Sequence, residues 1–137
     1  SFQSQANSNP NSIAQYAAMK ALQGDQSCVD AMVAQFEKRR DAMVEKINAI
    51  PGLSCRKPHG AFYVMMNIRG ITGKRYHGKV LGGSTAIAEA LLEHAHVALV
   101  PGAAFLDEGF CRISYATSME NIEEGLRRIA AFVKELE

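Results

Sequence analysis

The 137-residue sequence lacks three features, and each absence excludes a class of protein. No apolar run approaches the roughly 20 residues that span a bilayer, which argues against a membrane protein. Neither sign of charge is in excess, because 15 basic residues accompany 14 acidic ones, so nothing in the charge favours nucleic acid as a partner. Cysteine is scarce, and Cys28, Cys55 and Cys111 are too few and too widely spaced for a disulfide framework.

The composition that remains is typical of one folded domain. Hydrophobic residues make up 47% of the chain, and the length lies in the range of roughly 100–150 residues that is common for domains. Without a secretory signal at its start, we expect a protein of the reducing cytoplasm. The sequence opens at Ser1 without an initiator methionine, so we expect a fragment of a longer protein.

Two helices are predicted in the first third of the chain. Pro10, with Asn9 as the expected N-cap, begins a helix that reaches about Leu22 and ends at Gly24. A longer helix of about 23 residues follows, from a capping-box-like Ser27 to the Pro-Gly pair at 51 and 52. Its apolar side chains recur at helical spacing and form one stripe: Val29, Met32, Val33, Phe36, Met43, Ile47 and Ile50.

Short strands dominate the middle of the chain. We expect strands at 54–57, 61–67, 97–100 and 110–115, and a mobile glycine-rich loop at 70–83. Ser84 is expected to cap one further helix, and a capping box of Thr117 and Glu120 is expected to open the last one. The buried face predicted for this last helix consists of Ile122, Leu126, Ile129, Val133 and Leu136. This order predicts an α+β fold, with three or four short strands covered by helices on one side.

Arg112 is the strongest candidate for a binding residue. It lies in a strand between apolar or small neighbours, and its guanidinium stays charged, so it must be paired or face a polar cleft. The fork of N–H donors suits a planar carboxylate. A structural ion pair with Glu108 or with an acid of a helix explains the residue equally well, and the spacing alone favours neither.

Two loops are weaker candidates. Residues 101–105 place a tight turn of small side chains about ten residues before Arg112, where backbone could approach a ligand, although an ordinary turn is favoured. Residues 82–84 lead into a helix N-terminus, which is favourable for anions. They lack both common phosphate-binding patterns, so a tight loop into the helix is favoured.

Metal binding and cysteine chemistry receive little support. Cys55, His59, His94 and His96 do not have the spacing of a closed zinc site, so packed thiols and surface histidines are favoured. A nucleophilic Cys–His pair would use Cys55 or Cys111, but no spacing selects a partner. We therefore expect no metal site.

Four segments together make the chain resemble the class I aminotransferases of pyridoxal-phosphate fold type I, and the bacterial aspartate aminotransferases most of all. In chain order they are Ser8-Asn9-Pro10 with Ser12-Ile13-Ala14-Gln15, then Pro58-His59-Gly60-Ala61-Phe62-Tyr63, then Val100-Pro101-Gly102-Ala103-Ala104-Phe105, then Arg112-Ile113-Ser114-Tyr115-Ala116-Thr117-Ser118. The resemblance extends over essentially all of the chain.

The resemblance implies the C-terminal third of such an enzyme. Residues 1–24 would belong to the large domain, and residues 25–137 would form the small C-terminal domain, with the long helix linking the two. Arg112 matches the arginine that grips the substrate α-carboxylate, and Phe62 matches a residue near the substrate side of the cleft. The segment of Ser8 and Asn9 matches one near the dimer interface and the neighbouring subunit's site.

The resemblance also implies the chemistry of the full-length enzyme. Its cofactor would be pyridoxal 5'-phosphate, its substrates aspartate or a related amino acid and 2-oxoglutarate, and its assembly a homodimer. The family's cofactor lysine stands in a Ser-Lys segment followed by Gly-x-Arg, and no lysine here has that context; Lys74 is a loop residue. The aspartate that pairs with the pyridine nitrogen and the phosphate-binding residues are missing too. We therefore expect the fragment to contain no catalytic or cofactor-binding residue and to be inactive alone.

One departure from the family pattern concerns the turn before Arg112. The family usually has glycine after the phenylalanine of this turn, and Leu106 stands there instead.

Two other hypotheses stay open. The chain could be a stand-alone α+β module that binds small carboxylates for regulation through Arg112 and the turn at 101–105. It could instead be an interaction piece, in which Ile13, Tyr16 and Ala17 form an exposed apolar face that drives association or domain swapping. In that case we expect a dimer or larger oligomer, or disorder in the first ~20 residues. The amino donor and the origin of the truncation stay open.

Overall fold

The computed structural model describes residues 2–7 and 9–137, and the chain divides into two compact units between Ala34 and Gln35. The first unit contains α1 (Phe2–Ala6), α2 (Ser12–Gln23) and the start of α3 (Ser27–Asn48). The second unit contains the rest of α3 and the elements that follow it. Ser8, one of the two residues matched to a dimer interface, lies outside the described residues.

Helix α2 begins later than predicted. Its N-cap is Asn11 rather than Asn9, because the Asn11 side chain accepts hydrogen bonds from the backbone N–H groups of Ile13 (2.9 Å) and Ala14 (3.3 Å). Gly24 ends the helix as predicted, and its N–H donates to the carbonyl of Lys20. No residue within Ser12–Gln23 is buried.

At the start of α3, Ser27 donates hydrogen bonds to Asp25 instead of acting as the predicted cap. The Asp25 carboxylate accepts a hydrogen bond from the Ser27 N–H (3.0 Å) and one from its hydroxyl, and both bonds lower the pKa of Asp25. The predicted apolar stripe divides at the boundary between the units. Met43 and Ile47 are buried in the core of the second unit, whereas Val29 is 42% exposed in the first.

The second unit alternates short strands and helices. After α3 come β1 (Tyr63–Asn67), β2 (Arg75–Tyr76), β3 (Lys79–Val80), α4 (Ser84–Ala95), β4 (Val100–Pro101), a 3-10 helix (Gly102–Phe105), β5 (Phe110–Ser114) and α5 (Met119–Lys134). Strands β1, β5 and β4 form an antiparallel sheet with β5 in the middle. The strand predicted at 54–57 is reduced to an isolated bridge between Ser54 and Asn67.

One face of this sheet forms the core with the helices. Alternate residues of β1 and β5 point into it, namely Val64, Met66, Cys111 and Ile113. The helical side chains in the same cluster are Met43, Ile47, Ile87, Ala90, Leu91, Ile122, Leu126, Ile129, Phe132 and Val133. Strands covered by helices on one side confirm the predicted α+β fold, and the predicted apolar face of α5 is buried.

The segment at 70–83 is a packed hairpin, so the prediction of a mobile loop is wrong. Strands β2 and β3 pair within it, and Ile71, Tyr76 and Leu81 are buried in the core. Gly73 and Gly78 have φ of +86° and +79°, so these two glycines make the turns, while Ile71, Tyr76 and Leu81 anchor the segment in the core. Backbone hydrogen bonds also pair Arg75 with the C-terminal Glu137 in both directions, at 3.0 Å each.

The two remaining helix starts are shifted by one residue from their predicted caps. Gly83 is the N-cap of α4, and Ser84 is the first helical residue, fully buried. At α5, Ser118 is the N-cap, and its hydroxyl accepts from the Asn121 N–H (3.2 Å). The predicted cap, Thr117, instead accepts from the side-chain amide of Asn121 (3.0 Å).

Candidate functional site

The sheet face opposite the core carries Arg112. Side chains alternate between the two faces of a strand, so Arg112 points away from buried Cys111 and Ile113 and is itself partly exposed. Met65 of β1 and Val100 of β4 lie directly opposite it on the neighbouring strands. A guanidinium on the middle strand is therefore presented on the open face of the sheet.

Two aromatic rings flank the guanidinium of Arg112. Its Cζ lies 5.2 Å from the ring centroid of Tyr63 and 5.0 Å from that of Phe105. Tyr63 belongs to β1 on one side of β5, and Phe105 ends the 3-10 helix that follows β4 on the other. Within residues 2–7 and 9–137, the ion pairs of the structure involve other cations, and none includes Arg112.

Glu108, the predicted alternative partner of Arg112, is bound elsewhere. Its Oε2 accepts from the N–H (2.8 Å) and the hydroxyl (2.6 Å) of Ser84 at the N-terminus of α4. These hydrogen bonds lower the pKa of the Glu108 carboxyl. The predicted ion pair between Arg112 and Glu108 is therefore wrong, because the carboxylate of Glu108 is bound by Ser84 at the start of α4.

Phe62, the second predicted site residue, lies close to this group. Its side chain is 53% exposed, and its ring meets that of Tyr63 edge-on at 5.6 Å between centroids. Its carbonyl accepts from the N–H of Tyr115 (2.8 Å) and the hydroxyl of Ser114 (3.2 Å). The structure thus connects Phe62 to Arg112 through the ring of Tyr63.

A buried tyrosine secures the segment that leads to Phe62. Tyr115 is 1% exposed, and its hydroxyl donates to the carbonyl of Ala61 (2.9 Å), with that of Gly60 at 3.3 Å. Burial raises the pKa of the Tyr115 phenol. The sequence does not predict this role of Tyr115 or the position of Tyr63 beside Arg112. Both residues belong to the recognised segments, but nothing in their spacing shows what their side chains contact.

The turn at 101–105 is tightly constrained. A Cβ on buried Gly102 would lie 2.1 Å from the carbonyl oxygen of Asp107 and 2.2 Å from that of Phe110, so only glycine fits. Leu106 adopts the left-handed conformation with φ of +62° and is 99% exposed. The backbone shape that favours glycine is therefore present here with leucine in its place.

A second arginine on the open side of the sheet has a different environment. Arg69 lies over the ring of Phe110 at 4.7 Å and forms an ion pair with Asp107 at 3.2 Å. Both Arg69 and Phe110 line a cleft of about 760 Å³ whose other lining residues come from segment 54–61 and from β1. Arg69 already has a carboxylate partner, which distinguishes it from Arg112.

Neither the N-terminus of α4 nor the cleft beside β1 offers a site for pyridoxal phosphate among the described residues. The glycine-preceded N-terminus of α4, which could attract a phosphate, already binds the carboxylate of Glu108. The lining of the cleft beside β1 contains arginine but no lysine among the described residues, so no amine is available there for an imine.

The other candidate residues are dispersed or packed. Burial raises the pKa of the Cys111 thiol to about 11 and also raises that of Cys55, which disfavours their thiolates. His94 packs against the ring of Tyr76 at 5.0 Å. In the part of the chain that the structure describes, no three His, Cys, Asp or Glu side chains converge as metal ligands. Of the described helices, none is both long and apolar enough to cross a membrane.

Comparison with known proteins identifies the family. The sequence model of the family "aminotransferase class I and II" matches residues 1–129, so the chain belongs to this family. It is 44% identical over 134 residues to an aspartate/prephenate aminotransferase of Nitrosomonas europaea, covering 96% of this chain and 34% of that protein. It is 48% identical over 130 residues to an aspartate aminotransferase of Rhizobium meliloti, covering 94% and 32%.

Solved structures agree with this assignment. The crystal structure of an aspartate aminotransferase from Rhizobium meliloti superposes with a TM-score of 0.94 at 47% identity, over 99% of this chain and 34% of that one. An alanine aminotransferase from Pyrococcus furiosus gives a TM-score of 0.81 at 30% identity, over 92% and 30%. The chain therefore spans about a third of the length of the relatives it matches.

Proposed function

We propose that this chain is the C-terminal, substrate-binding part of a pyridoxal-phosphate-dependent aminotransferase, in which Arg112 binds the α-carboxylate of the amino acid. The observation that carries the proposal is the guanidinium of Arg112, which lies on the open sheet face without a carboxylate partner among the described residues. A guanidinium offers a planar fork of donors that can form two parallel hydrogen bonds to one carboxylate. A small acid can therefore supply the carboxylate partner that the described residues do not.

The cofactor and the chemical step would come from outside this chain. We expect the cofactor lysine to lie outside this chain, so the role assigned to the described residues is to bind and orient the substrate. In this proposal the amino group passes between aspartate, or a related amino acid, and 2-oxoglutarate, in a cytoplasmic homodimer. The aspartate aminotransferases among the similar proteins support this substrate class.

The first residues are proposed to belong to the large domain of the full-length enzyme, up to about residue 24. The apolar side chains of α2 support this assignment, because Ile13 is 78%, Tyr16 69% and Leu22 80% exposed in this chain. Such a surface favours burial against further protein. The remaining residues, 25–137, are proposed as the small domain.

Replacement of Arg112 in the full-length reading frame tests the proposal. Arg112→Gln should reduce kcat/KM for the amino acid, because positioning of the carboxylate is lost. The expected loss of transition-state stabilisation is about 2–5 kcal/mol. Arg112→Lys should restore little, since an ammonium lacks the bidentate fork. Arg69→Gln is the matched control on the same side of the sheet and should change kcat/KM little. Equal activity of wild type and Arg112→Gln would refute the proposal.

The 137-residue chain alone should have no transaminase activity. Mixing it with pyridoxal phosphate and recording the absorption spectrum tests this expectation, because an imine absorbs near the visible edge. A stable, stoichiometric imine band would contradict the proposal that the cofactor lysine lies outside this chain.

A stand-alone module that binds small carboxylates for regulation is the second candidate. The same observation supports it: Arg112 lies on the open face with no acid partner among the described residues, and it would bind a carboxylate without catalysing a reaction. The DNA upstream of the codon for Ser1 separates the two candidates. The chain spans about a third of the length of its relatives, so an open frame of roughly 250–270 codons upstream of Ser1 supports the aminotransferase. A start codon close to Ser1 supports the module.

A further inference from the structure

We propose that Tyr63 and Phe105 are positioning residues that hold the guanidinium of Arg112 with its N–H edge free for a carboxylate. This inference rests on the proposed function and adds two residues to it. The observation is that both rings lie within 5.2 Å of the Cζ of Arg112 and come from opposite sides of its strand.

The geometry suits the chemistry of a planar cation. Aromatic faces attract the face of a guanidinium, whereas its five N–H donors lie in its plane and point outward. Rings that flank Arg112 therefore restrain the long side chain without using its donors. An ion pair with an acid of the same chain would restrain it too, but would consume the donors that the substrate needs.

Preorganisation is the expected benefit. A free arginine side chain has considerable rotamer entropy, part of which is lost when it binds a carboxylate. Contacts already made by Tyr63 and Phe105 remove part of that loss before the substrate arrives, so the affinity rises without a new contact to the substrate.

Each ring is held in place by its own surroundings. Tyr63 pairs with Ser114 in the sheet register, and the ring of Phe62 packs edge-on against it at 5.6 Å. Phe105 is 45% exposed, so the position of its ring follows from the conformation of the turn and not from burial in the core. The tight packing of Gly102 against the backbone of Asp107 and Phe110 gives this turn its shape. The 101–105 turn thus serves to bring a ring beside Arg112.

Arg69 and Phe110 provide a matched control pair. Phe110 also lies under an arginine, but that arginine is paired with Asp107 and not available to a carboxylate. Loss of the Phe110 ring should therefore leave substrate binding unchanged, whereas loss of either flanking ring of Arg112 should weaken it.

The test uses steady-state kinetics of the full-length holoenzyme. Tyr63→Leu and Phe105→Leu should each raise KM for the amino acid by roughly 2- to 30-fold, the range expected for one cation–π contact, with a smaller change in kcat. Tyr63→Phe and Phe105→Tyr keep the ring and should restore KM. Phe110→Leu should leave both constants near wild type. In an Arg112→Gln background, Tyr63→Leu should add nothing further.

Each result decides one of the two proposals. If Arg112→Gln impairs the enzyme but neither leucine variant raises KM, the inference about the rings is wrong and the proposed function stands. If Arg112→Gln has no effect, the proposed function fails first. Because Phe105 is half-exposed, Phe105→Leu should fold even if Tyr63→Leu does not, and this variant then decides the question alone.

Discussion

Glu108 binds Ser84 at the N-terminus of α4: one oxygen of its carboxylate accepts hydrogen bonds from both the N–H (2.8 Å) and the hydroxyl (2.6 Å) of Ser84. The same hydroxyl accepts a hydrogen bond from the N–H of Ala103 at 3.0 Å. The contact therefore connects the start of a helix to the turn that carries Phe105, and it explains why Ser84 is buried although it is polar.

The carboxylate of Glu108 makes part of the stability dependent on pH. Its pKa is lower in the folded chain than in the unfolded chain, so its stabilising effect is present above the usual glutamate pKa of about 4.3 and disappears as the pH falls through the folded value. Glu108→Gln should therefore lower the free energy of unfolding at pH 7 and lose its effect at acidic pH. Urea unfolding of the 137-residue chain at a series of pH values measures this difference. A gap between the two proteins that stays constant down to pH 2 would contradict the assignment.

Gly102 and Gly125 should respond in opposite directions to alanine. A Cβ on Gly102 would meet two backbone oxygens within 2.2 Å, so Gly102→Ala should cost at least about 3 kcal/mol of unfolding free energy. Gly125 lies inside α5 with no atom within 4 Å of its added Cβ, so Gly125→Ala should stabilise by about 0.5–1 kcal/mol. Chemical unfolding followed by circular dichroism compares them. A neutral Gly102→Ala would show that the turn is not packed as described.

Leu106→Gly should stabilise the chain by about 0.5–1 kcal/mol, because glycine adopts a left-handed conformation without the steric cost that leucine bears. The side chain is 99% exposed, so its removal forfeits no packing. Ala104→Gly, in the adjacent 3-10 helix, is the control and should destabilise instead. The melting temperatures of the three proteins give the comparison, and a lower value for Leu106→Gly than for the wild type would count against it.

Tyr115→Phe should lower the free energy of unfolding by about 1 kcal/mol, the usual contribution of a hydroxyl that donates to a carbonyl. The ring stays in the core and keeps its edge-on contact with Phe36, so only the hydroxyl's bonds to the carbonyls of Ala61 and Gly60 are removed. Tyr16→Phe, in the exposed helix α2, should change stability by less than about 0.5 kcal/mol. Denaturant titration measures the unfolding free energy of both variants. Equal changes would mean that the Tyr115 hydroxyl contributes no more to stability than the exposed hydroxyl of Tyr16.

Local patterns in the sequence were sufficient to predict most elements and the fold class. The spacing of Ile122, Leu126 and Ile129 predicts the buried face of α5, because a helix repeats every 3.6 residues whatever it packs against. The position of Arg112 in a strand, and the four segments shared with aminotransferases, were likewise readable from the chain alone. These signals depend only on residue type and on distance along the chain.

Contacts between distant residues could not be read in this way. Nothing in the spacing shows that Glu108 binds Ser84, that Tyr63 and Phe105 flank Arg112, or that Ile71, Tyr76 and Leu81 anchor the 70–83 segment. Each depends on strand register and on which face of the sheet the helices cover, and these are settled only when segments far apart in the chain pack together. The amino acids therefore specify an arginine in a strand, while the folded sheet places two rings beside its guanidinium and, among the residues the structure describes, no acid.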